Sequence, residues 1–140
     1  MILKVKKLNP DAKTPAYAHP GDAGLDLFSI EDVVIKPGER YAVATGLALE
    51  LEPGFVSLIW DRSGVALKNG MKTMGGVIEH TYRGEYKIIM FNTSHEDYQI
   101  KKGDRIAQLL VQPVITAEVV EVDNLSETAR GEGAFGSTGK

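Results

Sequence analysis

Turn-forming clusters of Pro, Gly and polar residues bound several of this chain's apolar segments and keep them to the length of short strands. Lys36-Pro37-Gly38-Glu39, Glu52-Pro53-Gly54 and Lys101-Lys102-Gly103-Asp104 join residues that preset or free the backbone to polar neighbours. Such clusters, spaced roughly 8–12 residues apart, punctuate β-sandwiches and barrels. Between and around them, Arg40 to Leu51, Phe55 to Trp60, Tyr86 to Asn92 and Arg105 to Val114 either alternate apolar with polar residues or run apolar for a few positions, as half-buried and buried strands do. Only Ser63 to Lys68 reads as helical, with Ser63 as N-cap and with Gly64 and Gly70 limiting it to a turn or two. No β-α-β alternation and no fixed-period repeat is present, which excludes a doubly wound parallel sheet and leaves an all-β fold.

A length of 140 residues suits one domain, since domains cluster near roughly 100–150 residues. The 43% hydrophobic content is ordinary for a soluble chain, and no apolar run approaches the ~20 residues a membrane helix needs. Met1 to Leu8 alternates Lys with apolar residues and lacks the apolar core of a signal peptide. With zero Cys there is neither a disulfide nor a thiolate metal site, so the expected location is the cytoplasm, with no membrane partner. The net charge of −3 argues against a protein that coats nucleic-acid backbones. A small polyphosphate remains possible, because it needs only a few local donors and cations.

Three places carry candidate chemistry. Asp61-Arg62-Ser63-Gly64-Val65-Ala66 follows a strand and opens the one helical turn. Free N–H groups and the helix dipole favour an anion there, Gly64 permits close approach, and Arg62 and Ser63 add donors. Taken alone, the run is also an ordinary Ser-capped turn. Gly75 to Glu85 reads as a hairpin whose glycines would let a flat base approach the backbone, with Glu79 placed for a water or sugar hydroxyl and Tyr82 for a sugar ring. A solvated hairpin is the plainer reading of that segment. Asp26 and Gln108 each interrupt an apolar run; each could hydrogen-bond a neighbouring strand, or the two could hold water around a magnesium ion. His19, His80 and His95 lack zinc-site spacing, and no P-loop, nucleophile elbow or Cys nucleophile is present, which favours direct attack by water.

Residues 1–123 read as the β domain and 124–140 as a mobile C-terminal arm. The arm is poor in apolar residues and rich in Gly, so composition alone gives disorder; yet Arg130, Phe135, Ser137 and Thr138 among its glycines could close over a nucleotide.

Taken in order, Ala23-Gly24-Leu25-Asp26-Leu27, Arg62-Ser63-Gly64-Val65-Ala66, Gly76 to Glu85, Gly103 to Gln108 and Arg130 to Gly139 resemble the five motifs of the homotrimeric dUTPase family. The resemblance spans nearly the whole chain. It implies a distorted jelly-roll barrel or sandwich with one very short helix, assembled as a homotrimer whose active sites lie at subunit contacts. It implies Mg-dependent hydrolysis of dUTP to dUMP and pyrophosphate by water attack at the α-phosphorus, lowering dUTP and supplying dUMP for thymidylate synthesis. By the same resemblance Arg62, Ser63 and Gly64 hold phosphates, Gln108 joins the phosphate and metal-water shell, and Asp26 steadies the hydrated magnesium. Uracil is read by main chain around Gly76, Val77, Ile78 and Lys87, with Thr73 near the pocket. Glu79 addresses the sugar 3′-hydroxyl and the attacking water, and Tyr82 stacks on deoxyribose. Phe135 covers uracil, Arg130 reaches the γ-phosphate, and Gly136, Ser137 and Thr138 add donors.

Three residues depart from the family pattern. Glu79 stands where an Asp is usual, Ala134 where a Gly is usual, and Asp61 puts a carboxylate beside Arg62, where it either orients that guanidinium or adds negative charge near a phosphate site. The longer acid predicts slower turnover with binding preserved. Two other readings follow: a dUTPase-like nucleotide-binding or regulatory protein with weakened catalysis, and a dCTP deaminase relative, against which the C-terminal motif argues.

Overall fold

The computed structural model describes residues 1–134. Along them run β1 (Lys4–Lys7), β2 (Ala16–Tyr17), β3 (Leu25–Phe28), β4 (Val33–Ile35), β5 (Arg40–Ala44), β6 (Leu47–Glu50), β7 (Phe55–Trp60), α1 (Ser63–Asn69), β8 (Met71–Met74), β9 (Val77–Glu79), β10 (Lys87–Asn92), β11 (Tyr98–Ile100) and β12 (Arg105–Pro113). The three Gly turns behave as their residues require: Gly38, Gly54 and Gly103 all sit at positive φ, a region closed to most side chains. In two of them the hydrogen bond closes across the cluster, from Glu39 N–H to Lys36 and from Asp104 N–H to Lys101.

Every strand pairing is antiparallel. β2-β3-β12-β7-β9 form a five-stranded sheet and β5-β10-β8 a three-stranded one, while β1-β6 and β11-β4 are two-stranded ribbons. Leu27, Ile35, Val43, Leu49, Ile88, Met90, Ile100, Ile106 and Leu109 pack into one buried cluster, so all of these sheets share a core. The result is the expected all-β, distorted jelly roll with a single short helix. Fully burying each such side chain stabilises the fold by roughly 1.5–3 kcal/mol. Tyr86 is wholly buried among them, and its hydroxyl lies 2.9 Å from that of Ser57, which in turn donates to the Ile78 carbonyl at 3.0 Å. A buried phenol keeps a partner, and this one ties β10 to β7 and β9.

Three local expectations change. The run Arg40 to Leu51 is not one strand: Gly46 takes φ 67 and passes the chain from β5, paired with β10, to β6, paired with β1. Alternating hydrophobicity continues through such a kink, so the pattern conceals it. The segment Gly75 to Glu85 is not a ladder-bonded hairpin. β9 pairs with β7, whereas β10 pairs with β5 and β8, and the intervening bend is closed by Tyr82 N–H donating to the Glu79 carbonyl at 3.0 Å. Ser63 is not the N-cap; Arg62 is, with extended φ −84 and ψ 126 and no side-chain cap bond, because its side chain is drawn elsewhere.

β12 ends at Pro113, and residues 114–134 continue almost wholly exposed without strand or helix. No helix among the described residues is long and apolar enough to cross a membrane.

Candidate active site in two halves

Register across the five-stranded sheet builds the first half. On one side of β12, Gln108 stands opposite Asp26 of β3; on the other it stands opposite Trp60 of β7. Two residues beyond Trp60 the chain turns into α1. The two polar interruptions that spacing alone could not bring together are therefore direct neighbours, and the Arg62-Ser63-Gly64 turn lies beside them. Gly24, Asp26, Arg62, Ser63, Gly64 and Gln108 line a cavity of about 900 Å³.

Within it Asp26 is nearly buried, and both its oxygens are taken: Oδ1 lies 3.2 Å from Arg62 Nε and Oδ2 3.0 Å from Arg105 Nε. A buried carboxylate requires such pairing, and here the pair fixes the guanidinium of Arg62. Asp26 thus holds two arginines in addition to lining the cradle. Arg105 was missed by sequence reasoning; its place within Gly103 to Gln108 was the available signal. Gln108 donates from Nε2 to the Asp61 carbonyl at 2.7 Å, leaving Oε1 as an acceptor without a donor among the described residues. That oxygen sits 2.5 Å from where a Cβ on Gly24 would be, so Gly24 is the space Gln108 occupies. Around Gly64 a Cβ would meet nothing within 4 Å, which leaves the turn open. The Ser63, Gly64 and Val65 amides precede the first helical bond, Ala66 N–H to the Arg62 carbonyl, and are unpaired by the helix itself.

Asp61 does not orient Arg62. Its carboxylate turns to β8, where it accepts from Lys72 Nζ at 2.5 Å, the Thr73 N–H at 2.5 Å and the Thr73 hydroxyl at 2.7 Å. Partial burial pushes its pKa up, but these donors, Lys72 first, outweigh that and hold it below the ordinary carboxylate value. Thr73 is consequently buried, with its hydroxyl committed to Asp61, and it lines neither half of the site.

The second half is a cavity of about 880 Å³ lined by Gly75, Val77, Ile78, Glu79, Tyr82 and Lys87, among others. Gly75 takes φ 62. Gly76 has a different reason: its carbonyl accepts from Ile59 N–H at 2.7 Å, and a Cβ there would collide with the Ile59 carbonyl. This glycine therefore packs directly against β7. Tyr82 donates to the Glu85 carbonyl at 3.1 Å, and its ring lies where a Cβ on Gly84 would stand, so Gly84 lets Tyr82 fold over the bend. Lys87 Nζ lies 3.8 Å from Glu85. Glu79 is exposed, and its carboxylate has no hydrogen bond or ion pair among the described residues.

The two cavities share no lining residue. One chain thus offers a phosphate-type cradle and a base-type pocket as separate concavities. Arg130 is exposed on the arm and donates to the Gly133 carbonyl at 2.9 Å. Phe135, Gly136, Ser137 and Thr138 lie outside the described residues.

An all-β barrel carrying an Arg-Ser-Gly cradle and a backbone-lined pocket defines a class of nucleotide-polyphosphate-binding protein. The dUTPase family model matches residues 10–139. The chain is 53% identical over 142 aligned positions to the deoxyuridine 5′-triphosphate nucleotidohydrolase of Nautilia profundicola, covering 100% of both, and 51% identical to that of a Hydrogenobaculum species, covering 99% of both. In structure it is similar to the dUTPase of Staphylococcus bacteriophage 80alpha solved with dUpNHpp, at TM-score 0.94 and 33% identity over 99% of both chains. The chain belongs to the dUTPase family.

Proposed function

We propose that this dUTPase-family chain hydrolyses dUTP to dUMP and pyrophosphate in a homotrimer, each active site joining the first half of one chain to the second half of a neighbour. The observation that carries this reading is the separation of the two cavities on one chain, each holding a different part of the family's site. Ile115, Val119 and Leu125, at 87% exposure or more in the single chain, support burial against other subunits, since isolated apolar rows of this kind mark contacts. The cytoplasm is the proposed setting.

In this reading Arg62, Ser63 and Gly64 receive the phosphates, and Gln108 presents Oε1 to the phosphate and water shell. Asp26 acts through Arg62 and Arg105. Main chain at Gly76, Val77, Ile78 and Lys87 reads uracil by its edge, leaving a thymine methyl unaccommodated and a cytosine amine unpaired. Tyr82 packs on deoxyribose, and Glu79 holds the 3′-hydroxyl and the attacking water. Arg130, Phe135, Gly136, Ser137 and Thr138 close the site over the γ-phosphate and base, and alignment supplies much of the rate. Thr73 supports Asp61 in place of touching substrate.

Magnesium fits as part of the substrate. No group of three or more potential metal ligands exists among the described residues, and both Asp26 oxygens face arginines, so the described residues offer no protein cage. Gln108 lines the cradle with an oxygen for a hydrated ion, and Asp26 stands beside it with its oxygens shared with Arg62 and Arg105; a hydrated ion is the form in which Mg²⁺ accompanies polyphosphates. When bound, it neutralises the pyrophosphate leaving group.

Pyrophosphate release from dUTP, dTTP, dCTP and UTP, with and without magnesium, tests the activity: release from dUTP alone, lost with EDTA, is expected, and ammonia from dCTP would point to the deaminase relative. The shared site is tested by refolding Arg62→Ala and Glu79→Gln chains together. Each alone is inactive, and random trimers recover about a quarter of full activity if sites span two chains; no recovery refutes the shared site.

A further inference from the structure

Asp61 joins two parts of the molecule through opposite ends of one residue. Its main-chain carbonyl accepts Gln108 Nε2 at 2.7 Å, which sets the amide so that Oε1 faces the cradle. Its side chain reaches β8, the edge strand of the three-stranded sheet, and there occupies an outward-facing amide and a hydroxyl of Thr73 together with the ammonium of Lys72. Directly after it comes Arg62, the N-cap of α1, whose Nε meets Asp26. The segment between β7 and α1 is only Asp61 and Arg62. Among the described residues Arg62 adds its pair with Asp26 and a longer bond of 3.5 Å to the Arg105 carbonyl; the shorter bonds that locate this segment against β8 and β12 pass through Asp61.

We propose that Asp61 is a positioning residue for the triphosphate: clamped by Lys72 and Thr73, it fixes the Arg62 turn and the Gln108 amide in the arrangement that receives phosphates. It touches no substrate. Asp61 lines the cradle, but its carboxylate is taken by Lys72 and Thr73 of β8, so the negative charge that the sequence sets beside a phosphate site is neutralised there. Sequence alone left two effects open, orientation of Arg62 or repulsion of phosphate. The geometry replaces both with a third, an anchor on a neighbouring sheet. Three hydrogen bonds to one carboxylate, two of them from groups held in a strand, define its direction far better than a single exposed ion pair does.

The proposal rests on the function above, and its test separates the two. The intact protein and its Asp61→Ala, Thr73→Val and Thr73→Ser variants are assayed for dUTP turnover, for affinity toward dUpNHpp followed by the fluorescence of Trp60, the single tryptophan, and for inhibition by deoxyuridine, which lacks phosphate. Asp61→Ala is expected to weaken dUpNHpp binding and lower turnover by on the order of 10-fold each, because a loosened phosphate cradle misplaces the reacting groups. Deoxyuridine inhibition stays within about twofold, since its cavity excludes Asp61. Thr73→Val reproduces part of the loss and Thr73→Ser restores it. Those two variants decide the matter if Asp61→Ala does not fold. Unchanged dUpNHpp affinity in Asp61→Ala, an equal loss of deoxyuridine, or Thr73→Ser no better than Thr73→Val overturns the proposal. Wild-type protein that binds dUpNHpp but releases no pyrophosphate refutes the hydrolytic reading instead, and the affinity ratios still judge Asp61.

Discussion

Replacing Gly24 with Ala should remove activity while leaving the barrel folded. The added Cβ would stand 2.5 Å from Gln108 Oε1 and 3.1 Å from Gln108 Cβ, against ordinary carbon–oxygen contacts of about 3.4 Å. Something must move by nearly 1 Å. The backbone of β12 cannot readily yield, because Gln108 is held in register with Asp26 on one side and Trp60 on the other. What yields is the end of the Gln108 side chain, and turning it away sacrifices the 2.7 Å bond from Nε2 to the Asp61 carbonyl. Loss of that bond and mild overpacking cost about 1–3 kcal/mol of stability. The functional loss is far larger, since a displacement near 1 Å in a group that orients phosphate or water costs on the order of 10²-fold in rate. Pyrophosphate release at saturating dUTP, paired with a thermal melt, reads both quantities. A folded Gly24→Ala protein retaining turnover within threefold of the parent would show that Gln108 Oε1 is not what the cradle depends on.

Glu79→Asp should raise the single-turnover rate with dUTP and leave dUpNHpp affinity nearly unchanged, because the Glu79 carboxylate has no partner among the described residues and only its reach differs; equal rates would mean that the longer acid already meets the water. Tyr86→Phe keeps a wholly buried ring but removes the hydroxyl 2.9 Å from Ser57, so a melt should fall by a few degrees, as expected for about 0.5–1.5 kcal/mol; no shift would mean the pair contributes nothing net. Asp61 has a folded pKa below its ordinary value, so its stabilisation is complete above about pH 4, where the unfolded chain is also ionised, and disappears as pH falls through the folded value. The melting difference between the parent and Asp61→Asn should thus be constant from neutral pH down to about pH 4 and then shrink. Glu50, also lowered by Lys4, is common to both proteins and cancels; a difference that grows on acidification refutes the sign.

The fold was readable because its punctuation is chemical. Pro37-Gly38 and Pro53-Gly54 mark turns whatever surrounds them, and Phe55 to Trp60 emerges as a strand over those same residues because a run of six with five apolar residues between turns has few other uses. The break at Gly46 was hidden because one positive φ changes a strand's sheet without disturbing the alternation of its neighbours. The separate partners of β9 and β10 were hidden because strand pairing depends on the whole sheet. In the site, single residues were legible and their partners were not. Asp26 is conspicuous as an acid in an apolar run, but its engagement with Arg62 and Arg105 spans 36 and 79 positions of chain. Asp61 showed the same limit: sequence adjacency suggested Arg62, whereas its side chain binds Lys72 and Thr73.

The two halves of the site also differ in how firmly their own chain holds them. In the cradle nearly every functional group is already engaged: Arg62 by Asp26, Gln108 by the Asp61 carbonyl, and Asp61 by β8. In the other half, Glu79 and Val77 are exposed, and Lys87 has only a distant carboxylate. A triphosphate concentrates charge and must be aligned for displacement at one phosphorus, so donors fixed before binding are worth most there, where no energy goes into reorganising them. The base and sugar carry no such charge, and in the proposed shared site a pocket completed by a neighbouring chain can adjust to them. Substitutions in the cradle should consequently act on turnover, and those in the pocket on affinity and choice of base, even though both halves belong to the same polypeptide.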